Sequence, residues 1–312
     1  MPYRLSEINR RAAEDPARFI AECDKLYASR ISRAVGKIIS NLENSPIVLL
    51  SGPSGSGKTT TAMKIEDELQ RRGYNTHTIS MDNYFKTVDL RTAVRTAEGT
   101  PDLESPACMD MELLNDHFTM LSRGERIFVP RYEFSRQMRV IDPSKSLRLG
   151  KNDIAVFEGI HALNDSITDV HPEAFKLYIS AASDVRDDDN KLFFKRSWMR
   201  LLRRTVRDNL FRGADAASTV SMWANVRRGE KAYISPFKGK ADYKFDSSFA
   251  YEVCVLKTMA GELFNSIPDD VERGEELRTI LPALEQFESI DASLVPPDSL
   301  LREFIGGGIY EY

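Results

Sequence analysis

The stretch that decides the reading runs from Leu49 to Ile65: "LLSGPSGSGKTTTAMKI". Glycine, serine and proline interrupt an apolar run, and a lysine followed by three threonines ends the interruption. Gly52, Gly57, Lys58 and Thr59 fit the spacing G-x-x-x-x-G-K-[ST]. Glycines let a backbone curl until successive N–H groups point into one cavity. The helix that follows adds the partial positive charge of its N-terminus. In this pattern Gly52, Pro53, Ser54, Gly55, Ser56, Gly57, Lys58, Thr59 and Thr60 line a chain of phosphates. Lys58 brings a full charge to the outer phosphates, and the Thr59 hydroxyl is suited to Mg²⁺. The context agrees, because "PIVLL" (46–50) is β-rich and residues 58–72 have helix-forming composition with Gly73 at the end. The loop leaves two activities open: nucleotide hydrolysis coupled to motion, and phosphoryl transfer to a small molecule.

Outward from the loop, strand candidates alternate with charged helical segments. They are "NTHTIS" (75–80), "DIAVFEGI" (153–160), "FKLYIS" (175–180) and "ADYKFD" (241–246). Alternation of this kind predicts an α/β fold, a three-layer P-loop sandwich with a mainly parallel sheet and helices on both faces. Residues 1–44 read as a helical arm, with Ile20, Leu26, Ile31, Val35, Ile38, Ile39 and Leu42 at helical spacing. The expected division is an arm (1–44), a P-loop domain (45–265) with a lid around 198–230, and a helical extension (266–312). The acidic "SDVRDDDNK" (183–191) reads as a solvated loop. The final "VPPDSLLREFIGGG" reads as an extended tail followed by a turn.

The totals exclude some classes. A 312-residue chain with formal charge −4 has no electrostatic reason to seek nucleic acid or an anionic membrane. No apolar run nears the ~20 residues of a membrane span. Cys23, Cys108 and Cys254 lack metal-ligand spacing and read as reduced thiols of a cytoplasmic protein. The start, "MPYRLSEINRRAAEDPARF", has no signal-like character.

Three further features bear on the chemistry at this loop. Asp82 in "SMDNYFK" falls at the C-terminal end of the second strand, where α/β sheets bind ligands. It is placed to take a hydroxyl proton, or to cap a helix. Glu158 ends a buried strand and suits Mg²⁺ opposite Thr59, whereas Asp153 begins that strand at the wrong end for catalysis. Arg200, Arg203, Arg204 and Arg207 share one helical face at i, i+3, i+4 and i+7 in "RLLRRTVRDNLFRG", with Arg212 beyond. Such a stripe needs water or anions to compensate it. Arg227 and Arg228 are weaker candidates, and His161 reads as a loop residue.

"GPSGSGKTT", "SMDNYF", "VPRYEF", "VFEGIHALN" and "RLLRRTVRDNLFRG" occur in the order seen in the uridine kinase and phosphoribulokinase superfamily. From about residue 45 onward the chain resembles the bacterial uridine kinase-like nucleoside kinases most. The resemblance implies ATP and Mg²⁺ as cofactors and a small-molecule acceptor, with the 5′-hydroxyl of uridine or cytidine first and a sugar-phosphate, polyol or vitamin as the alternative. It makes Asp82 the general base, with Tyr84 beside it on the acceptor side. Glu104 in "PDLESPACMD" would hold the ribose hydroxyls, and Tyr132 and Gln137 in "VPRYEFSRQMR" would meet the base. Among the lid arginines it implies Arg203 and Arg207 for the transferring phosphoryl group, Arg204 for the nucleotide and Arg200 for the acceptor. Homo-oligomers are common in such families. A nucleotide-binding switch without an acceptor is the remaining alternative, and it has no use for a sugar-holding Glu104.

Overall fold

A computed structural model describes residues 2–87, 94, 95, 99, 102, 104–133, 136, 138–268 and 274–311. In chain order its elements begin with β1 (Tyr3–Arg4), α1 (Leu5–Glu14), α2 (Pro16–Asn41), β2 (Ile47–Ser51), α3 (Lys58–Arg71) and β3 (Asn75–Ser80). Next come α4 (Met111–Ser122), β4 (Ile127–Glu133), β5 (Met138–Leu147), β6 (Asp153–Glu158), α5 (Asp165–Thr168) and β7 (Phe175–Ser180). The chain continues through β8 (Val185–Arg186), β9 (Leu192–Phe194), α6 (Arg196–Phe211), α7 (Ala216–Tyr233), β10 (Tyr243–Asp246), α8 (Glu252–Asn265), α9 (Gly274–Glu285) and α10 (Arg302–Ile305).

Five parallel strands form the central sheet in the order β10-β7-β2-β6-β3. β2 shows why this segment is a central strand. Its side chains alternate between two cores, Val48 and Leu50 facing one and Ile47 and Leu49 the other. A strand apolar on both faces needs helices above and below, and parallel crossovers supply them. One core gathers α2, α3, α6, α8 and the C-terminal segment. The other packs α4 and the start of the β4–β5 hairpin against the opposite face. The P-loop therefore leaves the middle of the sheet, with the ends of β3 and β6 on one side and of β7 on the other. Among the described residues no helix is long and apolar enough to cross a membrane.

Three sequence expectations are corrected here. In α2, Leu26 is 51% exposed, and the buried position belongs to Tyr27, whose hydroxyl is 2.7 Å from Thr61 Oγ1 of α3. The N-terminal arm is thus bonded directly to the P-loop helix. The acidic stretch contains β8, which pairs with both β1 and β9, so only its end at 188–191 is exposed. Val185 forces this, because its buried side chain belongs to the core and the neighbouring backbone is then satisfied by pairing. The final segment is no extended tail, since Leu300, Leu301 and Phe304 are fully buried against the P-loop side of the molecule.

Candidate active site

The phosphate cradle follows from its glycines. Gly57 sits at φ +76° as the N-cap of α3, and Gly55 at φ +71°. A Cβ on Gly52 would lie 2.1 Å from the Ile179 carbonyl oxygen, and one on Gly55 would lie 2.9 Å from that of Arg200. The loop is thus pressed between β7 and α6, and only glycine fits there. Ser247 Oγ donates to the Ser56 carbonyl at 2.5 Å and fixes the loop from a second side. Lys58 Nζ lies 3.4 Å from the Pro53 carbonyl and 3.9 Å from Glu158 Oε1, reaching across the mouth of the cradle. Thr59 is exposed at the first turn of α3 while Thr60 is buried. Curled backbone, lysine, exposed hydroxyl and strand-end carboxylate together fit a Mg²⁺-bound polyphosphate.

Asp82 stands across the cleft on a 3-10 turn (Met81–Tyr84), whose N-cap Ser80 Oγ accepts from the Asp82 amide at 3.3 Å. Burial pushes the Asp82 carboxyl up, and the charges of Lys58 and Arg212 oppose that shift. Glu158 is also pushed up by burial, relieved by Lys58 and raised again by Asp82 and Glu303. Glu104 is pushed up by burial, lowered by Arg204 and raised by Asp102, with Asp82 a smaller neighbour. Lys58, Asp82 and Glu158 therefore share one electrostatic neighbourhood, and Glu104 lies near enough to Asp82 to feel its charge.

Elements beyond the cradle hold Glu104. A Cβ on Gly229 of α7 would fall 2.8 Å from Glu104 Cβ, so the glycine admits this side chain. Asp102, almost fully buried, accepts from Tyr233 Oη at 2.8 Å and Arg228 Nη2 at 3.1 Å. Arg228, a weak candidate for phosphate, is thus part of the clasp between α7 and the acceptor segment. Arg227 is paired with Glu230. His161 is buried near Tyr233, and burial holds its imidazole down at about 4, so it is neutral. Tyr132 is half-buried on β4, its ring edge-on to Phe85 at 5.6 Å and its amide donating to Asn83 Oδ1 at 3.2 Å. The hairpin is thereby pinned to the Asp82 turn. Gln137 lies outside the described residues.

Several assigned roles are corrected. Tyr84 is no acceptor contact: it is fully buried, 2.9 Å from His117 Nδ1 and packed near Phe157. The arginine face of α6 is compensated by protein. Arg203 is fully buried, with Nε donating to Glu252 at 2.6 Å and Nη2 to the Ser247 carbonyl at 2.9 Å. Arg200 donates to Glu230 at 2.6 Å and to the Ser54 carbonyl at 3.1 Å. Both brace the outside of the loop and have no charge free for a phosphoryl group or an acceptor. Arg204 donates to Ser54 Oγ at 2.8 Å, and Arg207 to Asp208 at 2.7 Å. Thr60 is turned from the cradle to Glu303. Arg212, given no role of its own in the sequence reading, is the exposed arginine whose charge reaches Asp82. Its place at the end of α6, one turn past the stripe, was the available signal.

The sequence pattern of the Phosphoribulokinase / Uridine kinase family matches residues 47–253, well over half the chain. The chain belongs to this family. It is 29% identical over 198 residues to a uridine kinase of Halobacterium salinarum, covering 62% of this chain and 76% of that one. With a uridine kinase of Macrococcus caseolyticus it shares 30% identity over 203 residues, covering 64% and 87% of the two chains. A crystal structure from Silicibacter sp. TM1040, described as a candidate fructose transport system kinase, superposes with a TM-score of 0.51 at 19% identity. It covers 69% of this chain and 98% of its own, and shares the fold. Family membership makes the protein a phosphotransferase for a small-molecule acceptor, with ATP as the donor such kinases use.

Proposed function

We propose that the protein is an ATP-dependent kinase that phosphorylates the 5′-hydroxyl of a pyrimidine nucleoside. The observation that carries this reading is the shared neighbourhood of Asp82 and Glu104 across from Lys58. Two carboxylates with separate tasks suit a polyol acceptor. Asp82 takes the proton of the attacking hydroxyl. Glu104 accepts from two adjacent hydroxyls at once, as a carboxylate can. Gly52 to Thr59 would hold ATP, and Thr59 Oγ with Glu158 would hold Mg²⁺, which together supply the transferable phosphoryl group and neutralise its charge. Arg200 and Arg203 keep the loop in shape from behind, and Arg212 adds positive charge beside Asp82. α6 and α7, packed beside the loop and Glu104, shield the site from water, which would otherwise compete with the acceptor. The names of the similar uridine kinases favour a nucleoside over a phosphorylated sugar.

Incubation with Mg-ATP and pooled nucleosides, sugars and polyols, read by mass, tests the acceptor. Uridine or cytidine should gain one phosphate, and preference for ribulose 5-phosphate would overturn the assignment. Asp82→Asn should keep ATP affinity and lose transfer. A variant with unchanged turnover would remove Asp82 from the reaction.

A further inference from the structure

The C-terminal segment, outside the 47–253 family match, reaches the P-loop helix. Glu303 on α10 is 6% exposed, and its Oε2 accepts from the Thr60 hydroxyl at 2.5 Å and the Thr60 amide at 3.3 Å. Thr60 is the third residue of α3, so its amide is one of the first-turn donors that a helix leaves unpaired. A carboxylate distant by 243 residues fills that role. The segment touches the loop at two further points. The Leu300 side chain fills the space above Gly57, where a Cβ would meet its Cδ1 at 2.6 Å. The Phe304 ring lies 5.1 Å beneath the Arg203 guanidinium, which itself donates to the Gly55 carbonyl at 3.3 Å. Arg302 bonds the carbonyls of Ala292, Val295 and Gly306, so the segment is folded on itself as well as docked.

From this geometry we propose that Glu303 is a positioning residue of the nucleotide site: an internal anion that occupies the first turn of α3 and limits how far a polyphosphate enters the cradle. This rests on the kinase reading above and deepens it. An anion placed on a turn built to attract anions has a cost in phosphate affinity. Its benefit is register. With the Thr60 donors taken, the polyphosphate stays over Gly55 to Thr59, and its outer end stays beside Lys58, Glu158 and Asp82. Without Glu303 the chain of phosphates gains two donors deeper in the turn and its outer end draws back from Asp82.

The test measures binding of Mg-ATP and of tripolyphosphate by calorimetry, and transfer to uridine, for wild type, Glu303→Gln and Glu303→Asp. Tripolyphosphate reports on the cradle without the nucleoside. Glu303→Gln should bind both probes about three- to tenfold more tightly, the scale of one charge at a helix N-terminus. Its kcat should fall together with its KM for ATP. Glu303→Asp keeps the charge and should stay within about twofold of wild type in binding. A residue that only supports the fold would lower thermal stability without tightening either ligand. Unchanged or weaker binding in Glu303→Gln, or an Asp variant indistinguishable from it, overturns the inference and leaves the kinase reading standing. Wild type that binds neither probe overturns both.

Discussion

As the proposed general base, Asp82 meets two demands that pull against each other. A general base must be ionised, yet burial favours its neutral form and lifts its pKa, with Lys58 and Arg212 holding it back. The expected outcome is an acid limb in the rate profile, with activity lost as pH falls through a value above the ordinary ~4 of an aspartate. A pH profile of kcat/KM at saturating Mg-ATP reads this directly, and a profile flat down to pH 4 would contradict it. Arg203 makes the opposite case, a charge used for architecture. Its ion pair with Glu252 has both side chains at 0% exposure. Arg203→Ala leaves Glu252 buried and alone, and should cost about 3–5 kcal/mol. The double replacement Arg203→Met, Glu252→Met should recover most of that stability in urea unfolding, while loosening the loop at the Gly55 carbonyl.

Between elements, the contact that bears on the proposed acceptor role of Glu104 is the packing of α7 against its segment. Gly229→Ala would drive a methyl into Glu104, because the approach there is 2.8 Å. We expect the KM for the acceptor to rise about tenfold, on the order of 1.4 kcal/mol, with the KM for ATP unchanged. A parallel rise in both constants would mean that α7 as a whole had shifted. Legibility in the sequence follows the same division. The strands at 47–51, 153–158 and 175–180 were readable because each is bounded by local turn signals and carries its own apolar pattern, and 75–80 was readable by its β-branched threonines and Ile79 after the Gly73 turn. The cradle was readable because backbone geometry dictates its residue types. The compensation of the α6 arginines was not, since Glu230 and Glu252 lie 30 and 49 residues from their partners. Tyr84 looked like a cleft residue because only the fold supplies His117 and Phe157. The burial of Leu300, Leu301 and Phe304 depends on a groove made by distant helices, which no local pattern records.

At the scale of the whole molecule, the cleft stores charge that the empty fold would be more stable without. Glu158, Asp82 and Glu104 all have pKa values raised by burial in the folded state. A group raised on folding adds stability that is complete below its unfolded value, near 4, and is lost as pH rises through the folded value. The cleft therefore weakens the apoprotein at neutral pH, and Mg-ATP should restore stability by binding only the folded form. Glu158→Gln isolates the effect, because other carboxylates in the molecule, Asp110 and Asp246 among them, shift downward and act in the opposite sense. The variant should melt about 2–4 °C above wild type at pH 7.5, the scale of 1 kcal/mol for a large domain. The gain should vanish near pH 4, where the native Glu158 is already protonated. Magnesium should add less to the stabilisation by ATP in the variant, and transfer should fall by at least about a hundredfold. Thermal melts across pH with and without Mg-ATP decide the matter, and a variant that melts below wild type at pH 7.5 would show that the Glu158 charge is needed by the fold itself.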